Sequence, residues 1–285
     1  ALSTEIISNG VPAEAVANTV VIEYSDIEVV RQKFDEDDDI AAVILDPAMF
    51  AGGLWPAEKS YLEALRKLTT ERKIVLIFDE VISGFRIAAG GGQGHFGIKP
   101  DLMTFAKALS GGGTLSAVAG RADVMSGVVP NSATNVFNLK VPGTFQSGTT
   151  NDDTMSLASS IGALRAYKKL DDAGDYERLN NLTKRFSQGM VKKFHECGVP
   201  CYSNQWGPLL RFVLSDGEAS FKAHQKVDKS ALSLFIMALM TEGVLLSMPT
   251  SGATYLSFAH TEADIDTIIE KTELVLRKYK FAELY

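Results

Sequence analysis

Cysteine is scarce in this chain. Its two thiols, Cys197 and Cys201, are spaced wrongly for a CxxC redox pair, and no second pair is present to complete a zinc site. Reduced thiols of an intracellular protein are the reading this favours. Histidine is scarce too. His95, His195, His224 and His260 are scattered, and the "HE" at 195–196 lacks the second histidine of HExxH, so no metal site is predicted. Positive charge is in deficit: the net charge of −7 argues against a nucleic-acid binder that works by neutralising phosphates. Long apolar runs are missing. The nearest, "ALSLFIMALM" (231–240), is too short to cross a membrane and reads as a buried helix stopped by Gly243. The opening residues, "ALSTEIISNGVPAEA", have no basic patch, no apolar core and no initiating methionine, and resemble neither a signal nor a transit peptide. A cytoplasmic protein is expected, with an organellar matrix as the alternative. The glycine-rich stretches "GGGQG" (90–94) and "SGGG" (110–113) match neither a P-loop nor GxGxxG after a strand.

What remains is an ordinary globular composition, 46% apolar and 22% charged over 285 residues. The acidic run "FDEDDD" (34–39) lacks the glycine and terminal glutamate of a calcium loop and reads as a solvated loop. Short apolar runs alternate with helical patterns. "AAVILD" (41–46) and "IVLIFD" (74–79) are continuous rather than alternating, which suits strands of a parallel sheet covered on both faces. Between them, "EKSYLEALRKLTTER" (58–72) sets Tyr61, Leu62, Leu65 and Leu68 on one helix face, so the three form a βαβ unit. From about residue 154 the chain turns helical, and Leu179, Leu182, Phe186, Met190 and Phe194 make a core-facing stripe. Strands are expected at 209–214, 244–246 and 254–258, and helices at 230–242 and 262–280, the last capped by Thr261. The expected architecture is a mostly parallel α/β domain (1–170) followed by a smaller α+β domain (171–285).

Two residues carry chemistry. Asp79 ends an apolar strand, and ligands of open parallel sheets bind at such carboxyl ends; the bland alternative is that it caps the following turn. Lys107, in "TFAKALSGGG" (104–113), stands in an apolar setting. An ammonium is costly to bury there, and a neutral lysine forms Schiff bases with carbonyls; the alternative is a surface lysine that snorkels from a helix. Together, an acid and a lysine suit pyridoxal phosphate, which needs an amine to hold its aldehyde and an anion to keep its ring nitrogen protonated.

The sequence resembles the class III pyridoxal-phosphate aminotransferases, and within them the glutamate-1-semialdehyde aminomutase branch. The resemblance rests on "VPAEAVANTVVIEYSD" (11–26), "AAVILDP" (41–47), "LIFDEVISGFR" (76–86), "GGQGHFGIKPDLMTFAKALSGGG" (91–113), "GTTNDDTMSLAS" (148–159) and "YLSFAHTEADID" (255–266). It implies a type I PLP-dependent transferase fold and a site at a homodimer interface. It gives Asp79 the ring nitrogen, Val81 one face of the ring, Lys107 the cofactor aldehyde, and Gly148 and Thr149 the phosphate of the neighbouring subunit, with Thr150 and Ser147 as reserves. Small-molecule amino donors and acceptors are the implied partners, with no nucleic acid and no membrane. The sequence departs from the family in three places. Asp46–Pro47 stands where Glu-Pro is usual. The stretch 128–146 is an insertion. The family's first strand, a glycine-serine phosphate turn and an aromatic residue over the ring would all precede residue 1. The implied activity is amino transfer, between molecules or within one. A non-catalytic or incomplete fragment or partner subunit of such an enzyme, or a racemase using the same cofactor, are the alternatives.

Overall fold

A computed structural model describes residues 9–50, 52–128, 144, 146, 148–217, 219–220, 224, 227–248 and 253–284. Helix α1 (Ile27–Glu36) begins where the Asp26 carboxylate accepts the Glu28 and Val29 amides, and it buries Val30 and Phe34. Strand β1 (Ala42–Leu45) follows, then a two-stranded ribbon of β2 (Ala48–Met49) and β3 (Trp55–Pro56). Helix α2 (Lys59–Arg72) buries Tyr61, Leu62, Leu65 and Leu68, the expected face, and leads into β4 (Val75–Asp79). A six-residue helix α3 (Gly91–Phe96), strand β5 (Leu102–Phe105), a 3-10 turn (Lys107–Ser110), β6 (Ala117–Gly120) and the one-turn α4 (Ala122–Met125) complete the first half.

The main sheet runs β1-β4-β5-β6. Its first two pairings are parallel and the last is antiparallel. Only one face of this sheet is covered among the described residues. Leu76 and Phe78 of β4 point into a cluster with α1 and α2, whereas Ile44 and Val118 stay 62% and 54% exposed. The expected cover on both faces is therefore corrected. The apolar runs carry side chains for both faces, but these helices supply a partner for one.

The second half holds α5 (Thr154–Asp172), α6 (Asp175–Glu196), the antiparallel sheet β7 (Tyr202–Trp206), β8 (Leu209–Val213) and β9 (Thr254–Tyr255), and helices α7 (Ser230–Thr241) and α8 (Glu262–Lys278). The stripe of Leu179, Leu182, Phe186, Met190 and Phe194 is buried in a second core against β8, α7 and α8. Thr261 caps α8 reciprocally with Asp264. The strand expected at 244–246 does not form. The Val244 amide closes α7 by donating to the Leu239 carbonyl, so the backbone is committed to a helix end. The acidic run is not all loop either, since Phe34–Glu36 form the last turn of α1. Among the described residues no helix is long and apolar enough to cross a membrane, and no group of three or more His, Cys, Asp and Glu could hold a metal ion.

Phe186 is fully buried at the centre of the second core. Phe186→Ala is expected to cost about 3–5 kcal/mol of stability, read as a lower urea midpoint. A loss below about 1 kcal/mol would mean that the cluster does not hold this half together.

Candidate active site

β1, β4 and β5 are parallel, so their carboxyl ends share one edge of the sheet. Leu45 is in register with Phe78, and Asp79 with Thr104. One step past Leu45, Asp46 therefore stands beside Asp79, and Asp79 beside Thr104. Laterally adjacent residues in a sheet face the same way. The row Asp46–Asp79–Thr104 thus presents two carboxylates and a hydroxyl on one face, and Lys107 follows two residues after β5 ends at Phe105.

The contacts give each group a distinct state. Asp79 Oδ1 accepts from the Val81 amide and the Thr104 hydroxyl, both at 2.9 Å. Its Oδ2 has no hydrogen-bond partner among the described residues. Glu80, its neighbour, is 1% exposed and does something else. It accepts the Ser83 hydroxyl and the Gly92 and Gln93 amides, the last two at 2.8 Å. Glu80 is therefore the cap of α3, satisfying amides at that helix's N-terminus. The glycines of "GGG" are there for this cap: a Cβ on Gly91 would sit 2.7 Å from Glu80 Oε2, and one on Gly92 2.8 Å from Pro47. The capping role weighed for Asp79 belongs chiefly to Glu80. Burial pushes the Asp46 carboxyl up to about 7, the Asp79 charge pushes the same way, and the Lys107 charge opposes them. The three groups therefore share one locality.

Lys107 departs from expectation in its surroundings. Its side chain is exposed, not buried in an apolar setting, and its Nζ has no ion-pair or hydrogen-bond partner among the described residues. Its backbone is held at φ +47°, the left-handed region that β-carbon-bearing residues avoid. Such strain persists only where the surroundings over-determine it. Helix α5 supplies the constraint. The Tyr167 hydroxyl donates to Ala108 O at 2.9 Å and the Ser159 hydroxyl to Ser110 O at 2.6 Å. Beyond Lys107 an open cleft of about 490 Å³ is walled by Phe85, Arg86, Tyr167, Leu256 and Phe258.

Val81 is half-buried and touches the site through its amide on Asp79. Gly148 and Thr149 lie exposed in a turn closed by the Asn151 amide on Gly148 O, just before Asp153 caps α5. No hydrogen bond or ion pair joins them to Asp79, Val81 or Lys107 among the described residues. Thr150 lies in the same turn; Ser147 falls outside the described residues, as does most of the expected insertion at 128–146. Sequence reasoning missed Thr104 and the Glu80 cap. Thr104 comes into view only through the pairing of β5 with β4, and the cap depends on a loop path that no periodicity encodes.

Residues 8–169 match the model of the family described as Aminotransferase class-III. The chain is 31% identical over 273 residues to a glutamate-1-semialdehyde 2,1-aminomutase of Natranaerobius thermophilus, covering 95% of this chain and 60% of that protein. Its fold is similar to a crystal structure of an omega-transaminase from Sphaerobacter thermophilus, with a TM-score of 0.81 and 29% identity over 95% of this chain and 60% of the other. A solved transaminase with PLP bound gives a TM-score of 0.78 and 29% identity, covering 97% of this chain and 61% of that one. The chain thus spans about 60% of the length of these relatives.

Two outcomes follow from the carboxylates. Glu80→Gln keeps one acceptor oxygen but sets an NH2 group against either the Gly92 or the Gln93 amide, and should lower stability by about 1–3 kcal/mol; an unchanged thermal midpoint would remove Glu80 from the capping role. A carboxyl whose folded pKa is raised binds its proton more tightly folded than unfolded. Its contribution is therefore present at low pH and is lost as pH rises from the usual carboxylate range through about 7. Without added cofactor, Asp46→Asn should gain stability relative to the unaltered protein between pH 4 and 8. Parallel denaturation midpoints across that range would contradict it.

Proposed function

This chain belongs to the class-III aminotransferase family, and from that premise we propose that it moves amino groups with pyridoxal phosphate, using Lys107 and Asp79. The observation that carries the proposal is that a lysine and a carboxylate oxygen, both without a hydrogen-bond partner among the described residues, stand at the carboxyl ends of neighbouring parallel strands. The residues present fit the group. Asp79 Oδ2 is available to a ring N–H, and Lys107 Nζ to an aldehyde.

When bound, pyridoxal phosphate supplies an aldehyde that condenses with amines and a ring that takes up electrons as a proton leaves the amine-bearing carbon. Asp79 favours the charged ring nitrogen by facing it with an anion. Val81 would flank one face of the ring, and Lys107 would hold the cofactor aldehyde. The Lys107 amine, when free, would take the proton from the substrate's amine-bearing carbon and return it. Gly148 and Thr149 serve the phosphate of a second subunit's site, which makes the working unit a homodimer. Their separation from Asp79 and Lys107 within this chain agrees with that assignment. The substrates are small amines and carbonyl acceptors. Residues 1–170 form the larger cofactor-binding domain and 171–285 the smaller one, a division supported by the two separate apolar cores.

Titrating the purified protein with pyridoxal phosphate should produce a visible absorption band, and borohydride should fix the cofactor covalently to the peptide carrying Lys107. Lys107→Ala should give no covalent adduct and lower amino transfer by about 10²–10⁴-fold. An adduct on another lysine, or an unchanged rate, would overturn the assignment.

A further inference from the structure

We infer that Thr104 is a positioning residue that fixes the orientation of the Asp79 carboxylate toward the cofactor ring. The inference rests on the cofactor reading above and goes beyond it, to a residue that the signature motifs do not single out.

A carboxylate at a strand end has two equivalent oxygens and turns about its own axis. Here the equivalence is broken. Oδ1 takes the Val81 amide and the Thr104 hydroxyl, each at 2.9 Å, and Oδ2 takes neither. The two donors approach from different elements, one from the turn after β4 and one from the neighbouring strand β5. Together they fix both the position and the plane of the group. One donor alone would leave rotation about its own bond.

Thr104 is itself held firmly. It is paired to Asp79 in the parallel register, and its carbonyl accepts the Glu80 amide at 2.9 Å. The hydroxyl therefore sits on a backbone that is pinned to the same turn it braces. Asp46, one residue past β1 on the other side of Asp79, makes no hydrogen bond to it among the described residues, whereas the Thr104 hydroxyl does. Its position also fits the chemistry. Hydrogen bonds donated to an ionised carboxylate keep it an acceptor, and an acceptor is what a protonated ring nitrogen requires.

Thr104→Val keeps the shape and the branching at Cβ and removes the donor; Thr104→Ser keeps the donor and removes a methyl group. With the purified protein and pyridoxal phosphate, Thr104→Val should bind the cofactor about ten- to a hundredfold more weakly. It should also move the pH dependence of the bound cofactor's visible absorption to lower pH, because a looser anion holds the ring proton less well. Thr104→Ser should stay within about threefold of the unaltered protein in affinity and keep its pH profile. If both variants weaken binding alike, the methyl packing matters and the hydroxyl does not, which overturns the inference. If Thr104→Val binds as tightly as the unaltered protein, it is overturned as well. If the unaltered protein binds no cofactor, the underlying cofactor reading fails and this inference with it. That result is distinguishable, because no variant need be compared to see it.

Discussion

The arrangement at the strand ends depends on one buried carboxylate, that of Glu80. Glu80 is removed from water, and an ionised group there is tolerable only when its oxygens are met by donors. Ser83, Gly92 and Gln93 meet them. In doing so they tie the turn after β4 to the start of α3, twelve residues on. The turn can then take one path, and Asp79 is left at the strand end with one oxygen bound and one free. Two acidic residues adjacent in sequence thus have opposite duties because alternation sends their side chains to different surroundings.

The other half of the pair is built by constraint of another kind. Lys107 sits at positive φ, a conformation of order 1–3 kcal/mol uphill for a residue with a Cβ. α5 holds it there by bonding to the carbonyls of the turn from Tyr167 and Ser159, and by close approach of Ala163 to Gly111, where a Cβ would come within 2.8 Å. Gly111, after the lysine, is therefore a condition for seating α5. The same turn projects the lysine out of the sheet edge, which is why its side chain is exposed and not enclosed by the apolar residues around it in sequence.

Much of this was legible in the sequence where one period dominated. The α2 face, the α6 stripe, the β1 and β4 runs and the Thr261 cap follow directly from hydrophobic spacing and capping chemistry. The two strands flanking the lysine and the polar strand β7 were not legible. "LMTF" and "YSNQW" are four and five residues long and carry too little pattern to separate from loop. Tertiary pairing decides them: β5 is a strand because β4 lies alongside it, and β7 because it pairs with β8 along its whole length. For the site, residue type announced Asp79 and Lys107, but not Thr104, whose part is visible only once the register is known. The strand expected at 244–246 failed for the converse reason. Its residues alternate between buried and exposed as a strand's would, with Leu245 77% exposed, but no strand pairs with them among the described residues.

The position of the cleft between the two halves follows from how those halves are joined. Trp206 and Leu209, from the second half, pack into the first core, with Phe50 and Phe96 beside the indole. The turn after β4 makes the complementary reach. The Tyr176 hydroxyl donates to Phe85 O at 2.8 Å, and the Arg86 guanidinium lies 5.2 Å from the centroid of the Tyr255 ring. Phe85 also stacks on Tyr167 of α5. The segment that begins with Asp79 and Glu80 therefore ends by contacting α5, α6 and β9. The turn that Glu80 anchors at one end is thus tied to the second half at the other, and Phe85, Arg86 and Tyr167, which make that tie, are also the wall of the cleft.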